Sequence, residues 1–361
     1  MSVYLTIILL SLLLGVIFLG KEDTSRNRKA YLIAIFSILF FVSAFRAQSV
    51  GTDTQSMSLG AVVVDSRSWS IYDFLDQKAP LYYFLIFAFD HVLPPEQCYQ
   101  IVSSLLVESC IAIFIYKNSK NCVLSTWLFL MQYLFFQSLN VGRQFMAISL
   151  VAVALCLIFR HRAKSALLVI AIATLIHSTA IIAVPMVALA KRMKSKRFYS
   201  VFLVLMAGGV LFYPQILDFF TAIFPRYNFY TVEGGIMYEA GQNRKIALTL
   251  FQFIYLVYAW GIYKKKKSLM PEHEKNVFQI SMCLMAVSIA IGFAALSSLL
   301  LTRVEYYYTL AFMIMVPLCI HYSGKSGTLL ALGTYAIIAI PGMVLLSSGS
   351  GGILPYSFCW Q

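Results

Sequence analysis

Long apolar runs alternate with short polar segments along almost the whole chain. Ten of these runs reach about 17–25 residues, the length that crosses a bilayer of about 30 Å as an α-helix. They occupy positions 2–20, 31–47, 98–116, 122–140, 141–159, 198–220, 246–263, 277–300, 305–323 and 328–348. The pattern predicts an all-α, polytopic integral membrane protein.

Two further apolar segments fit a spanning helix poorly. Positions 80–93 are too few to cross, because runs of about 10–14 residues are more often re-entrant or interfacial. Positions 165–190 are long enough to cross once, but His177 and Pro185 lie near their middle. We predict a re-entrant segment at 80–93 and a hairpin of two short helices turning near His177, with a single span over 165–190 as the alternative. The expected total is about ten to twelve transmembrane helices with one or two re-entrant segments.

Composition excludes a soluble protein. The 361 residues are 60% hydrophobic and only 12% charged, with a mean hydropathy of +0.79, and a soluble protein of this length has too little interior for so much apolar surface. A net charge of +13 would suit nucleic acid, but the basic residues stand in short loops between apolar runs. That placement follows the positive-inside rule, so no nucleic-acid partner is expected. We treat residues 1–361 as a single transmembrane domain.

The charges also distinguish the two faces of the membrane. The loops that carry most of the 28 lysines and arginines are expected in the cytoplasm, and they lie at 21–29, 117–120, 160–164, 191–197, 264–275 and Lys325. The remaining basic residues and most of the acids then fall on the outer face. A catalytic or binding site is therefore expected on the outer face. Two loops on that face are long enough to cover such a site, and they are Gln48–Ala79 and Thr221–Lys245.

Motifs of soluble enzymes are absent from the sequence. It contains no P-loop, no Gly-x-Gly-x-x-Gly, no His-Glu-x-x-His, no Gly-x-Ser-x-Gly, and no Asp-x-Asp that would hold a nucleotide-sugar through a metal. The seven cysteines form no Cys-x-x-Cys pair and the five histidines do not cluster. Neither a disulfide framework, a metal site nor a cofactor is expected.

Three arginines stand at predicted outer helix ends. Arg46 stands at the end of one apolar run, Arg143 stands at the start of another directly after the preceding run ends, and Arg303 begins Arg-Val-Glu-Tyr-Tyr-Tyr. Guanidinium groups match phosphate oxygens and stay charged, so the three could hold one diphosphate. The alternative is that each arginine extends to the lipid headgroups as a plain anchor.

Candidate proton carriers lie nearby in the sequence. Asp53 follows a Gly-Thr turn close to Arg46 and is the best-placed general base. His177, in an otherwise uncharged apolar segment, is either a proton carrier facing a cavity or a core histidine bonded to a backbone carbonyl. Rival carboxylates are Glu233, Glu239 and Glu305.

The second outer loop mixes arginines with aromatic residues. Arg226 and Arg244 stand among Tyr227, Tyr230 and Tyr238. Such a mixture can stack on sugar rings and hydrogen-bond their hydroxyls, but it is also typical of an ordinary aromatic belt at a membrane interface.

Four short motifs in this order resemble a known family. They are Arg46 with Val50-Gly51-Thr52-Asp53, Asn140-Val141-Gly142-Arg143-Gln144, His177-Ser178, and Arg303 with Tyr307. At these residues the chain resembles the EpsG-like branch of Wzy-type O-antigen and exopolysaccharide polymerases. The combination of motifs, spread over nearly the whole chain, carries the specificity.

The resemblance implies a GT-C-like glycosyltransferase in the bacterial cytoplasmic membrane, with its active site on the outer face. It implies transfer of a growing glycan from undecaprenyl diphosphate to a lipid-linked oligosaccharide repeat unit, with membrane lipids and a chain-length regulator as further partners. Asp53 and His177 would move protons or position substrate. Substrate would be bound by Arg46, Arg143, Gln144, Arg303, Arg226, Arg244 and Tyr307. The alternatives are a glycan ligase and a flippase for lipid-linked sugars.

Overall fold

Every regular element in the part of the chain that the structure describes is helical, as the apolar pattern predicts. The computed structural model describes residues 1–65, 69–90, 92–192, 202, 208–209, 211–223, 242–295 and 299–361. The helices are α1 Ser2–Leu19, α2 Ser25–Ala44, α3 Thr54–Asp65, α4 Ile71–Leu75, α5 Pro80–Asp90, α6 Pro95–Asn118, α7 Cys122–Met131, α8 Leu134–Asn140, α9 Gly142–Ile158, α10 Ala163–Ile176, α11 Val184–Arg192, α12 Tyr213–Ile223, α13 Gln242–Lys266, α14 Glu272–Ala294, α15 Leu299–Thr309, α16 Phe312–Tyr322 and α17 Gly327–Ser347.

Seven helical segments within these ranges are long and apolar enough to cross a membrane, so the chain is a polytopic membrane protein. They are Ser2–Leu19, Ser25–Ala44, Pro95–Asn118, Ile246–Leu269, Glu272–Ala294, Leu301–Tyr322 and Gly324–Ser347. The helices α7 and α8 make an eighth if they form one span bent by 50°. Two predicted spans are missing from this set. The helix α9 has only 17 residues, and ten of the 23 residues at 198–220 lie outside the described ones.

The predicted span 122–140 is interrupted between α7 and α8. Tyr133 adopts a left-handed backbone conformation with φ of 68°, which is uncommon for a residue with a Cβ atom. Its hydroxyl donates a hydrogen bond to the carbonyl of Ser350, 2.9 Å away. A contact with a residue far along the chain accompanies this break, and no glycine or proline marks it in the sequence.

The two doubtful apolar segments form short helices. The helix α5 has 11 residues, too few to cross. The helix α10 ends at Ile176, His177 has an extended backbone, and a 3₁₀-helix, Ser178–Ala183, follows before α11. The predicted interruption of this segment at His177 is confirmed.

Four helices position the region of the predicted site. The helix α6 packs against α2 and α9, and α9 packs against α10. Since α6 and α9 lie side by side, the first turn of α9 meets the first turns of α6, where the Tyr99 hydroxyl lies against Gly142. Large aromatic side chains fill the contacts, among them Phe114, Phe145 and Phe159, all fully buried.

The last residues of the chain fold back onto the turn that follows α2. We call residues 349–361 the C-terminal strap. Its carbonyls at Gly352 and Gly351 accept hydrogen bonds from the backbone of Gly51 and Thr52, at 2.9 Å and 3.1 Å. Ala47 donates to Ser357 at 2.9 Å. The strap therefore holds the segment between α2 and α3 along most of its length.

Candidate functional site

A small polar cavity collects most of the predicted site residues. It has a volume of about 60 Å³ and is lined by Asp53, Met57, Tyr99, Val141, Gly142, Arg143, Gln144, His177 and Arg303. These residues come from the turn before α3, the first turns of α3, α6 and α9, the end of α10 and the helix α15. Five residues that the sequence analysis selected as site residues thus meet in one place.

Asp53 is fixed by hydrogen bonds to its backbone. The side-chain oxygen of Asn140, at the end of α8, accepts from the Asp53 backbone N–H at 3.2 Å and from the Thr52 hydroxyl at 2.7 Å. Gly51 has a φ of +94°, and a Cβ atom there would collide with the Leu139 carbonyl. Only glycine adopts this conformation at such a close approach without strain, so the turn places Asp53 at the cavity.

Arg143 and Gln144 project from the first turn of α9. The Arg143 guanidinium lies over the ring of Tyr82, 5.4 Å from its centroid. Gln144 Nε2 donates to the backbone carbonyl of Arg303 at 2.9 Å, which ties α9 to α15. Val141, the residue before α9, contributes no side-chain cap. The helix dipole favours an anion at such an N-terminus.

Arg303 faces Asp53 across the cavity. Its Nη2 lies 3.9 Å from Asp53 Oδ2, and the two side chains are 25% and 41% exposed. A pair this long and this exposed is weak. A phosphate group entering the cavity could therefore compete with the Asp53 carboxylate for the guanidinium of Arg303.

His177 is oriented by a chain of hydroxyl groups. Its Nδ1 lies 2.8 Å from Thr179 Oγ1, which in turn lies 2.9 Å from the hydroxyl of the buried Tyr307. Because Nδ1 is engaged by Thr179, Nε2 is the ring nitrogen that could contact a substrate. Tyr307, predicted to bind substrate, stands behind His177 and is not among the described residues that line the cavity.

Arg46 is separated from the other two arginines. It is 1% exposed, its backbone bridges to Phe358 in the strap, and its Nη1 donates to the Ser43 carbonyl. Its charge interacts with the hydroxyl groups of Tyr4, Tyr99 and Tyr356. Arg46 is not among the described residues that line the cavity. It interacts with one of them, Tyr99.

Other predicted residues fall outside the site or outside the described residues. Arg226, Glu233, Glu239 and most of the loop 221–245 are not described, and of Arg244 only the backbone, within α13, is described. Glu305 is not among the described residues that line the cavity. Asp53 carries the one carboxylate of that described lining. In the described ranges no three His, Cys, Asp or Glu side chains cluster as a metal site.

Sequence reasoning missed two residues of the site and gave a third, Asn140, no role beyond its place in a motif. Tyr99 and Met57 line the cavity, and Asn140 fixes the Asp53 turn. A signal existed for Asn140, an amide directly before Val-Gly-Arg at an outer helix end. Tyr99 and Met57 resemble many other aromatic and apolar residues at helix ends, and only the fold brings them to the site.

Comparison with known proteins gives one match. A sequence model of the EpsG family matches residues 29–358, a range that includes every residue lining the cavity. No curated protein and no solved structure matches the chain.

Proposed function

The chain belongs to the EpsG family, and from this membership and the cavity we propose that it polymerises lipid-linked oligosaccharide units at the outer face of the bacterial cytoplasmic membrane. Membership supports a polysaccharide-polymerase-like function in general. In the proposed reaction, a growing glycan passes from undecaprenyl diphosphate to the terminal sugar of a new lipid-linked repeat unit. A chain-length regulator is the proposed protein partner.

The observation that carries the proposal is the meeting of two guanidinium groups, a carboxylate and an imidazole in one cavity. Arg143 and Arg303 supply fixed positive charge, and the first turn of α9 adds its dipole and N–H groups. Their common target is a group that gains negative charge as the reaction proceeds. The diphosphate that leaves the anomeric carbon of the donor glycan is such a group.

The proposed step is a displacement at the anomeric carbon of the donor. The acceptor hydroxyl oxygen forms a bond to this carbon while the bond from the carbon to the diphosphate oxygen breaks. The electron pair of the broken bond stays on the diphosphate, which Arg143 and Arg303 stabilise. The hydroxyl proton passes to a base in the cavity.

Asp53 and His177 are the two candidates for this base. Asp53 carries the one carboxylate of the described lining, and diphosphate binding to Arg303 would free it from its long ion pair. His177 has Nδ1 engaged by Thr179, so Nε2 is open to an acceptor hydroxyl. We propose Asp53 as the base and His177 as the group that positions the acceptor, because Asp53 faces Arg303 and is the one carboxylate of the described lining.

The same donor chemistry fits a glycan ligase, which differs only in its acceptor. A flippase for lipid-linked sugars would need polar groups along a path through the bundle. The charged side chains that are buried in the described part are Arg46, Asp90 and Glu108, which gives little support to a continuous path. Family membership favours the polymerase over both.

The test is polymerisation by the purified protein. Synthetic repeat units on undecaprenyl diphosphate are added to protein in liposomes, and the products are separated by length. A ladder of longer glycans is expected, with one undecaprenyl diphosphate released for each bond formed. Transfer to a different acceptor without a ladder would indicate a ligase. Movement of substrate across the liposome without any new bond would indicate a flippase and would overturn the proposal.

A further inference from the structure

A long apolar groove lies on the outside of the helix pair α2 and α6, away from the polar cavity. It has a volume of about 400 Å³ and is lined on α2 by Leu32, Ile33, Phe36 and Phe40, and on α6 by Leu105, Ala112 and Ile113. Ile33, Leu105 and Ile113 are 68%, 52% and 46% exposed. The groove is therefore open along the side of the bundle, where lipid surrounds a membrane protein.

The groove has the length of one lipid leaflet. On α2 it runs from Lys29 to Phe40 and on α6 from Leu105 to Lys117, which is about 17 Å at 1.5 Å per helical residue. Half of a bilayer hydrocarbon core is about 15 Å. One extended acyl chain of a single leaflet fits this distance.

One end of the groove is basic. Lys29 and Lys117 both approach Tyr116, with their Nζ atoms 5.5 Å and 6.0 Å from its ring centroid. The Tyr116 hydroxyl is bonded to Ser25 at 2.9 Å, which fixes the ring beside the two lysines. Two lysines at the mouth of an apolar groove match a negatively charged headgroup on an apolar chain.

This basic end lies on the opposite membrane face from the polar cavity. Tyr99 of the cavity and Lys117 of the groove are on the same helix, α6, and 18 residues between them span about 27 Å. That is close to the thickness of the hydrocarbon core. A ligand in the groove is thus separate from the substrate site.

We propose that this groove binds an anionic phospholipid of the leaflet opposite the cavity, with one acyl chain along α2 and α6 and its phosphate at Lys29 and Lys117. The assignment rests on the length of the groove and the sign of charge at its mouth, and it does not depend on the proposed polymerase activity. Bound lipid would hold α2 and α6 together at the end remote from the site.

One ionisable residue of the described lining lies deeper in the groove. Glu108 is 2% exposed, and its carboxyl oxygens have no hydrogen-bond partner among the described residues. It stands nine residues before Lys117, about 13 Å along the helix, well below headgroup depth. An acyl chain makes no hydrogen bond at this depth, so Glu108→Leu is expected to strengthen lipid binding.

Native mass spectrometry of the full-length protein tests the proposal. The protein is titrated in detergent with phosphatidylglycerol or with phosphatidylcholine of the same acyl chains. Wild type is expected to retain one phosphatidylglycerol in clear preference to phosphatidylcholine. The Lys29→Gln, Lys117→Gln double variant is expected to lose roughly 30-fold in phosphatidylglycerol affinity, because each lysine near an anionic headgroup contributes about one kcal/mol.

A matched control removes the same charge elsewhere on the same face. Lys264 and Lys265 end the helix α13, and the Lys264→Gln, Lys265→Gln double variant should bind phosphatidylglycerol like wild type. Ile113→Trp, at an exposed position in the groove, should weaken both lipids. Equal binding of both lipids by wild type would overturn the proposal, as would an equal loss in the control variant or unchanged binding in Ile113→Trp.

Discussion

Arginines that look alike in the sequence have opposite environments in the fold. Arg46 and Arg303 both stand at the end of an apolar run, yet Arg46 is 1% exposed against a backbone carbonyl while the Arg303 side chain is 25% exposed and faces Asp53. The difference arises because the C-terminal strap covers Arg46. The two residues therefore have different expected roles. Arg303, like Arg143, lines the cavity, where we expect substrate to bind, whereas Arg46 contacts its neighbours within the protein.

The first prediction concerns the two cavity arginines. Arg143→Ala and Arg303→Ala should each lower the rate of chain growth by about 100-fold or more, because each removes fixed charge from the developing diphosphate. Protein abundance should be unchanged. The control is Arg160→Ala, which removes an arginine just beyond the other end of α9, where it bonds to the Cys156 carbonyl. Normal glycan length in either cavity variant would remove that residue from the site.

Arg46 gives the second prediction. Arg46→Met keeps most of the side-chain volume and removes a buried charge that has no carboxylate partner among the described residues, so activity should fall less than about tenfold and thermal stability should hold. Arg46→Ala should lower the unfolding temperature because it leaves a cavity among three tyrosines. Both are measured by thermal unfolding in detergent and by chain growth. Complete loss of activity in stably folded Arg46→Met would return Arg46 to the substrate site.

The third prediction tests the support of Asp53. Asn140→Ala removes the acceptor for the Asp53 N–H and the Thr52 hydroxyl, so the turn should loosen and kcat should fall while KM for the lipid donor changes little. Thr52→Val should cause a smaller fall, and Thr52→Ser, which keeps the hydroxyl, should restore wild-type kcat. If Ser and Val at this position behave alike, the hydrogen bond has no part in placing Asp53.

At the scale of elements, the strap is the feature that the apolar pattern did not predict. It contains no long apolar run, and its glycines at 349, 351 and 352 all adopt positive φ. Its backbone pairs with the Gly51–Thr52 turn some 300 residues earlier in the sequence. The strap and α8, through Asn140, hold the Asp53 turn from two sides, so the geometry of the site depends on the end of the chain.

The fourth prediction belongs to this element. Gly352→Ala should reduce activity and stability together, because the residue has a φ of +67° and a Cβ atom there would lie 2.8 Å from the Thr52 methyl group. Gly333→Ala is the matched control, since nothing lies within 4 Å of a Cβ atom at that position. Both are compared by thermal unfolding and chain growth. Equal behaviour of the two variants would show that the strap does not govern the turn.

The existence of the helices was predictable from the sequence, and the positions of their breaks were predictable only in part. The runs at 2–20 and 98–116 correspond to α1, Ser2–Leu19, and α6, Pro95–Asn118, because apolar length alone determines whether a segment can cross. The break at His177 was also predicted, from a polar residue within an apolar run. The break at Tyr133 was not, since it accompanies a hydrogen bond to Ser350 that no local pattern reveals.

At the scale of the whole molecule, the membrane protein class followed from the sequence. Asp53, Arg143, His177 and Arg303 line one cavity although up to 250 residues separate them. Residue type and position at helix ends indicated their chemistry. Which arginine would be covered, and which residues would stand behind the cavity, depended on packing between distant segments, and the sequence alone does not fix that packing.

The central claim is that Arg143 and Arg303 act on one diphosphate, and a double-mutant cycle tests it most directly. Release of undecaprenyl diphosphate under kcat/KM conditions is measured for wild type, Arg143→Met, Arg303→Met and the double variant. Because residues that act as a unit are strongly non-additive, the double variant should be little slower than the slower single variant. A cycle that pairs Arg143→Met with Arg160→Met should be additive. If the effects of Arg143→Met and Arg303→Met simply multiply, the two arginines act independently and the shared diphosphate site is contradicted.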